Sequence, residues 1–170
     1  ILAAASKLDT GDVKYTPADG TPGLKKQVIR YTEEYYDRVV APENVIVSAG
    51  AKQSVFNILY SVLNPQDEVV ILAPYWVSYP EMVRMCYGVP VIVKAEDGGF
   101  VPRPEDIEKS VGSATRVIIC NSPNNPSGAE YPAETLRAFF DLARDRGIAL
   151  VLDETYRDFD SRDGAPHDLF

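Results

Sequence analysis

The chain has 170 residues, 45% of them hydrophobic and 25% charged, with a formal net charge of -8 and a sequence pI near 4.7. That length and composition allow one globular domain with its own core, and exclude a disulfide-stapled miniprotein, a collagen-like chain and a disordered tail. The acidity argues against a nucleic-acid binder, and no apolar run approaches the ~20 residues of a membrane span. Cys86 and Cys120 form neither a CxxC pair nor a Cys/His cluster. They read as two small buried hydrophobes in a reducing, cytoplasmic compartment, with no metal site. The single His167 stands among turn residues and reads as a surface histidine. Residue 1 is Ile and no signal-like segment follows it, so the chain is expected to be cut at its start.

In chain order, Gly20, Pro22 and Gly23 mark a loop, and Pro22 to Arg38 reads as a helix. An alternating pattern then begins. The β-branched run Val45-Ile46-Val47 predicts a first strand, and Gln53 to Leu63 a helix with Val55, Ile58, Leu59 and Val62 on one face. Val69 to Leu72 predicts a second strand, Tyr79 to Met85 a helix and Val89 to Val93 a third strand. Pro104 opens a short helix to Ser110, since proline is tolerated in a first turn. Val117 to Cys120 predicts a fourth strand. Ala133 to Arg146 is the clearest amphipathic helix, with Leu136, Phe139, Phe140 and Ala143 at helical spacing and Gly147 to end it. Ile148 to Leu152 predicts a fifth strand. Near-continuous apolar strands alternating with helices indicate a three-layer α/β fold: a mixed, mostly parallel sheet with helices on both faces. Residues 1–40 read as a segment and helix leading into the domain, 41–158 as its central part and 159–170 as a truncated continuation.

In such folds ligands gather outside the carboxyl ends of the strands. Four strings stand there. Ser48 to Gln53 opens a helix, and Gly50, Ala51 and Lys52 together form a chemical cradle for a phosphate, although a Gly-rich turn can be only a turn. It is neither a GxGxxG fingerprint nor a Walker A loop. Pro74 to Pro80 carries Trp76, either core filling or a flat platform for a flat ligand. Asn121 to Gly128 is turn-rich, yet Asn125 before Pro126 is held out of the helical region, which fixes a donor in space. Asp153 ends an apolar strand, either as a helix cap or as a carboxylate with a cationic partner, and Tyr156 follows three residues later. Together the four suit pyridoxal phosphate. Its phosphate meets Gly50, Ala51 and Lys52; its ring meets Trp76; its phenolate oxygen takes donors from Asn125 and Tyr156. Its ring nitrogen is kept protonated by Asp153.

These strings, with Tyr15-Thr16-Pro17, Gly20 and Leu24, resemble the class I/II aminotransferases of fold type I in order and spacing, over residues 13 to 158. Pro74 to Glu81 is similar to the bacterial branch near aspartate/prephenate aminotransferases. The resemblance implies transfer of an amino group between an amino acid and a 2-oxo acid. It also implies a homodimer in which Tyr15 reaches the neighbouring subunit's cofactor phosphate. The family's Schiff-base lysine and its carboxylate-binding arginine come later in its pattern; no lysine follows Asp153 in this sequence. The chain is therefore expected to be an internal fragment, inactive alone and without a catalytic residue of its own. A C-S lyase or an aminocyclopropane-carboxylate synthase would share every motif. So would a non-catalytic regulator domain of aminotransferase type. A nucleotide-binding Rossmann domain fits the fold class, but its glycine fingerprint is absent from this sequence.

Overall fold

The computed structural model describes residues 1–11, 14–95, 98–160 and 167–169. Its centre is a four-stranded sheet of β1 (Glu68–Leu72), β2 (Val89–Val93), β3 (Thr115–Asn121) and β4 (Ala149–Asp153). The spatial order is β2-β1-β3-β4 and every neighbouring pair is parallel. Helix α1 (Leu2–Asp9), which the sequence pattern did not predict, buries none of its residues. Helix α2 (Pro22–Tyr36) starts on a proline and ends where Asp37 turns left-handed. Helices α3 (Ala51–Val62), α4 (Ser78–Met85), α5 (Pro104–Glu108) and α6 (Ala133–Arg146) complete the layers.

Alternate strand residues feed two cores. Val69, Ile71, Val117 and Ile119 pack with Val55 and Leu59 of α3 and with Tyr79, Met82 and Val83 of α4. Val70, Leu72, Ile118 and Cys120 pack on the other face with Ile107 of α5 and with Leu136, Phe139 and Ala143 of α6. The expectation of helices on both faces holds. The topology explains it: the step from β1 out to β2 runs one way, and the steps back to β3 and β4 run the other. Right-handed crossovers then place α4 opposite α5 and α6. That reversal makes the gap between β1 and β3 a topological switch point, where adjacent loops leave in opposite directions and a crevice opens.

One predicted strand is corrected. Val45-Ile46-Val47 enters no ladder among the described residues, although Val45 is extended. Its β-branched side chains favour extended backbone, but a strand needs a paired neighbour. Here the Val47 N–H bonds Asp19 O at 3.0 Å, against the turn at Gly20. Gly20 has to be glycine: a Cβ there would stand 2.7 Å from the Val47 Cβ, and its φ is +104°. Among the described residues the sheet therefore has four strands, not five. Cys86 and Cys120 are both buried and unpaired, as expected of small hydrophobes. No helix among the described residues is long and apolar enough to cross a membrane.

Candidate active site

A cleft with about 330 Å³ of empty space opens at the carboxyl ends of β1, β3 and β4, lined by Ala51, Trp76, Tyr79, Asn121, Asn125, Asp153, Thr155 and Tyr156. It lies at the switch point that the strand order predicts. Of the residues singled out in the sequence, Ala51, Trp76, Asn125, Asp153 and Tyr156 line it together. Gly50 is the cap of α3, held at φ 91° and ψ 159°, a conformation that favours glycine, with open space where a Cβ would stand. Ala51 and Lys52 form the first turn of that helix. The early N–H groups of a helix have no partner within it, so this end of α3 presents partial positive charge. The Lys52 ammonium lies 4.9 Å from the centre of the Trp76 ring, a cation–π distance. Tyr15 is fully exposed and is not among the lining residues.

Two asparagines join the strand ends. Asn121, the last residue of β3, donates from Nδ2 to Asp153 O at 2.9 Å and to Pro123 O at 3.1 Å. Its Oδ1 accepts the Asn125 N–H at 2.7 Å. Asn124 donates to Pro74 O at 2.9 Å, and its Oδ1 accepts the N–H and the hydroxyl of Ser127. The loop after β3 is thereby fixed to the loop after β1 and to the end of β4. Its peptides Ser122-Pro123 and Asn125-Pro126 are cis. So positioned, Asn125 Nδ2 donates to the Tyr156 hydroxyl at 3.3 Å, and the two present neighbouring polar groups to the cleft.

Asp153 is the cleft's carboxylate. Its Oδ1 accepts the Thr155 N–H at 3.0 Å and the Thr155 hydroxyl at 2.7 Å, and its Oδ2 accepts the Tyr79 hydroxyl at 2.6 Å. Burial first, and then the bond to Asp153, pushes the Tyr79 hydroxyl far above its usual range. Tyr79 also meets Trp76 edge-on, with ring centres 5.5 Å apart. Asn121, Tyr79 and Thr155 are the site residues that the motif reading missed. The available signal was position: Asn121 opens the loop string, Tyr79 follows Trp76 by three residues, and Thr155 lies between Asp153 and Tyr156.

Glu154 engages a different set of groups. Its carboxylate accepts the Tyr36 hydroxyl at 2.7 Å and lies 3.3 Å from His167 Nε2. The Arg157 guanidinium covers the rings of Tyr35 and Tyr36 at 5.0 and 4.8 Å. These contacts dock the end of α2 on the turn that carries Tyr156. They also correct the reading of His167, which is 4% exposed: the carboxylate of Glu154 and the ring of Tyr36, 5.2 Å away, draw it inward. Cys120 lies wholly in the core, where burial raises its thiol well above the usual value, so it is no thiolate nucleophile.

Fold and cleft together define a parallel α/β domain whose cleft lies at a switch point, beside a helix amino terminus, and brings a flat ring close to a hydrogen-bonded, partly buried carboxylate. Residues 1–167 match the aminotransferase class I and II family, and the chain belongs to it. It is 44% identical over 155 residues to the probable aspartate/prephenate aminotransferase of Thermus aquaticus, covering 91% of this chain and 40% of that relative. The aspartate aminotransferase of Thermus thermophilus solved with maleate superposes with a TM-score of 0.82 at 44% identity, over 90% of this chain and 40% of that one. The aspartate aminotransferase of Thermotoga maritima gives 0.89 at 33% identity, over 98% and 44%. The chain thus spans about 40% of the length of the curated relatives it matches.

Proposed function

We propose that the whole protein is a pyridoxal-phosphate-dependent aminotransferase that moves an amino group between an amino acid and a 2-oxo acid. The observation that carries this reading is the meeting, in one cleft, of Trp76, the Asn125–Tyr156 pair and the Asp153 carboxylate beside the start of α3. The relatives' names support the same reaction.

The residues present fit the cofactor. The amino end of α3 and Lys52 suit its phosphate, in front of the open space at Gly50. Trp76 offers a ring face, and Asn125 and Tyr156 offer donors to the phenolate oxygen. Asp153, which accepts hydrogen bonds on both oxygens, would pair with the ring nitrogen and keep a proton on it. When bound, pyridoxal phosphate supplies the electron sink that makes loss of the substrate's Cα proton feasible. The described side chains bind, orient and tune. None of the described residues that line the cleft is a lysine.

A homodimer is part of this reading: the fully exposed Tyr15 is open to a second copy. A cytoplasmic setting is supported by the two buried, unpaired cysteines.

The test is an assay of the whole protein with pyridoxal phosphate, aspartate and a 2-oxo acid acceptor, for the wild type and for Asp153→Asn. The expected result is acceptor-dependent formation of the aspartate-derived 2-oxo acid, lowered at least ~100-fold in the variant while its circular dichroism is unchanged. Removing one partner of a buried charge pair costs about 3–5 kcal/mol. Near-normal turnover by Asp153→Asn would remove the ring-nitrogen role.

A further inference from the structure

We infer that Tyr79 is a positioning residue for the cofactor ring: its hydroxyl holds Asp153 as the ionised partner of the ring nitrogen, and its ring holds the Trp76 platform. The inference rests on the proposed role of Asp153 and deepens it. Three observations meet in this one side chain. The Tyr79 hydroxyl donates to Asp153 Oδ2 at 2.6 Å, the shortest of the three bonds that Asp153 accepts from Tyr79 and Thr155. Its ring stands perpendicular to Trp76, at 89° and 5.5 Å, the edge-to-face arrangement that aromatic pairs prefer. It is also one of the largest fully buried side chains, in the core cluster that includes Val83 of α4 and Ile71 and Ile119 of the sheet.

A phenol in an apolar core has to find a partner for its hydroxyl. The partner it has found is the one carboxylate among the described residues that line the cleft. The direction of the bond is settled as well. With its acidity suppressed by burial, Tyr79 remains a donor, and Asp153 accepts. A donor on a carboxylate oxygen makes that carboxylate a weaker base. The shared proton between Asp153 and a ring nitrogen then rests on the nitrogen, which is where an electron sink needs it. Thr155 cannot replace this bond, because both of its donors are on Oδ1.

The experiment uses the whole protein loaded with pyridoxal 5'-phosphate carrying ¹⁵N in the ring. The variants are Tyr79→Phe, which keeps the edge contact with Trp76 and removes only the hydroxyl, and Asp153→Asn. The ring ¹⁵N signal and the cofactor dissociation constant are both read. In Tyr79→Phe the signal should move from the pyridinium position toward that of neutral pyridine, and cofactor binding should weaken about tenfold, as expected for a lost hydrogen bond to a charged group. A purely structural tyrosine would lower the melting temperature and leave the ¹⁵N signal in place, which would overturn the inference. If Tyr79→Phe does not accumulate in folded form, 3-fluorotyrosine at position 79 keeps the shape and strengthens the donor. Its signal should then move in the opposite direction, and an unchanged signal overturns the inference equally. Asp153→Asn separates the two levels of the argument. If it leaves the ¹⁵N signal unmoved, the role of Asp153 fails, and the inference with it. If it moves the signal while neither change at Tyr79 does, only the inference fails.

Discussion

The two faces of the sheet are covered by helices doing different work. On the α5/α6 face the core is built from Ile107, Ile118, Leu136 and Phe139, each at most 1% exposed, with the buried Tyr131 and Cys120, and none of these lines the cleft. On the α3/α4 face the same kind of apolar core includes Tyr79, whose hydroxyl is aimed at Asp153, and it ends at Trp76 and the start of α3. One face holds the sheet together. The other does so and also delivers chemistry to the strand ends. If this division is right, damage to the first face should appear as lost stability, and damage to the second as lost binding or turnover.

The largest expected effect comes from breaking the scaffold face. Phe139 is fully buried and packs edge-on to Tyr131 with ring centres 6.0 Å apart. Phe139→Ala leaves a cavity that the surrounding elements can only partly close, which costs about 3–5 kcal/mol. In the whole protein this should appear in chemical denaturation as a lower midpoint. Cofactor affinity per folded molecule should stay within about twofold of the wild type. A variant that unfolds normally yet loses the cofactor would abolish the distinction between the faces.

A smaller effect is expected at the seam between them. Asn124 is 5% exposed and makes the side-chain bond from the β3 loop to Pro74 O, ahead of Trp76. Asn124→Ala removes that bond and leaves the Ser127 N–H without its side-chain acceptor, at a cost of about 1–3 kcal/mol. Stability and cofactor affinity should fall together here, because the same bond supports the loop that carries Asn125 and ties it to the segment that carries Trp76. Loss of stability alone, in denaturation and cofactor titration run side by side, would show that the seam does not register the site.

The distinction also explains what could be read from the sequence. Strands β1 to β3 and helix α6 are local patterns: apolar runs and an i, i+3, i+4, i+7 stripe that needs no knowledge of partners. The strand-end motifs were legible because each lies within eight residues of chain. Tyr79 was hidden because its meaning is non-local: its partner Asp153 is 74 positions away, and the sequence shows only a tyrosine on an apolar helix face. His167 misled for the same reason, since Tyr36 and Glu154 come to it from distant segments. Val45 to Val47 misled in the opposite way. Its local propensity is that of a strand, and pairing, which propensity does not report, decided otherwise.

The smallest effect expected is at Lys52, where the comparison can be sharpened within the site itself. Lys52 is exposed and carries its charge on a flexible stem, 4.9 Å from the centre of the Trp76 ring. Two roles are open to a cation placed there. As part of the phosphate cradle it would act equally on every substrate. Reaching past the ring, it would pair with the distal carboxylate of an acidic substrate and leave aromatic ones untouched. An exposed ion pair is worth about 0.2–1 kcal/mol, and more once a ligand excludes water. Lys52→Ala in the whole protein should therefore lower kcat/KM for aspartate about five- to tenfold more than for an aromatic amino acid, with little change in melting temperature. Added salt should narrow the gap, because screening weakens a charge–charge contact that remains near solvent. An equal loss for both substrates would confine Lys52 to the phosphate. An equal loss that is also insensitive to salt would leave its packing on Trp76 as its whole contribution.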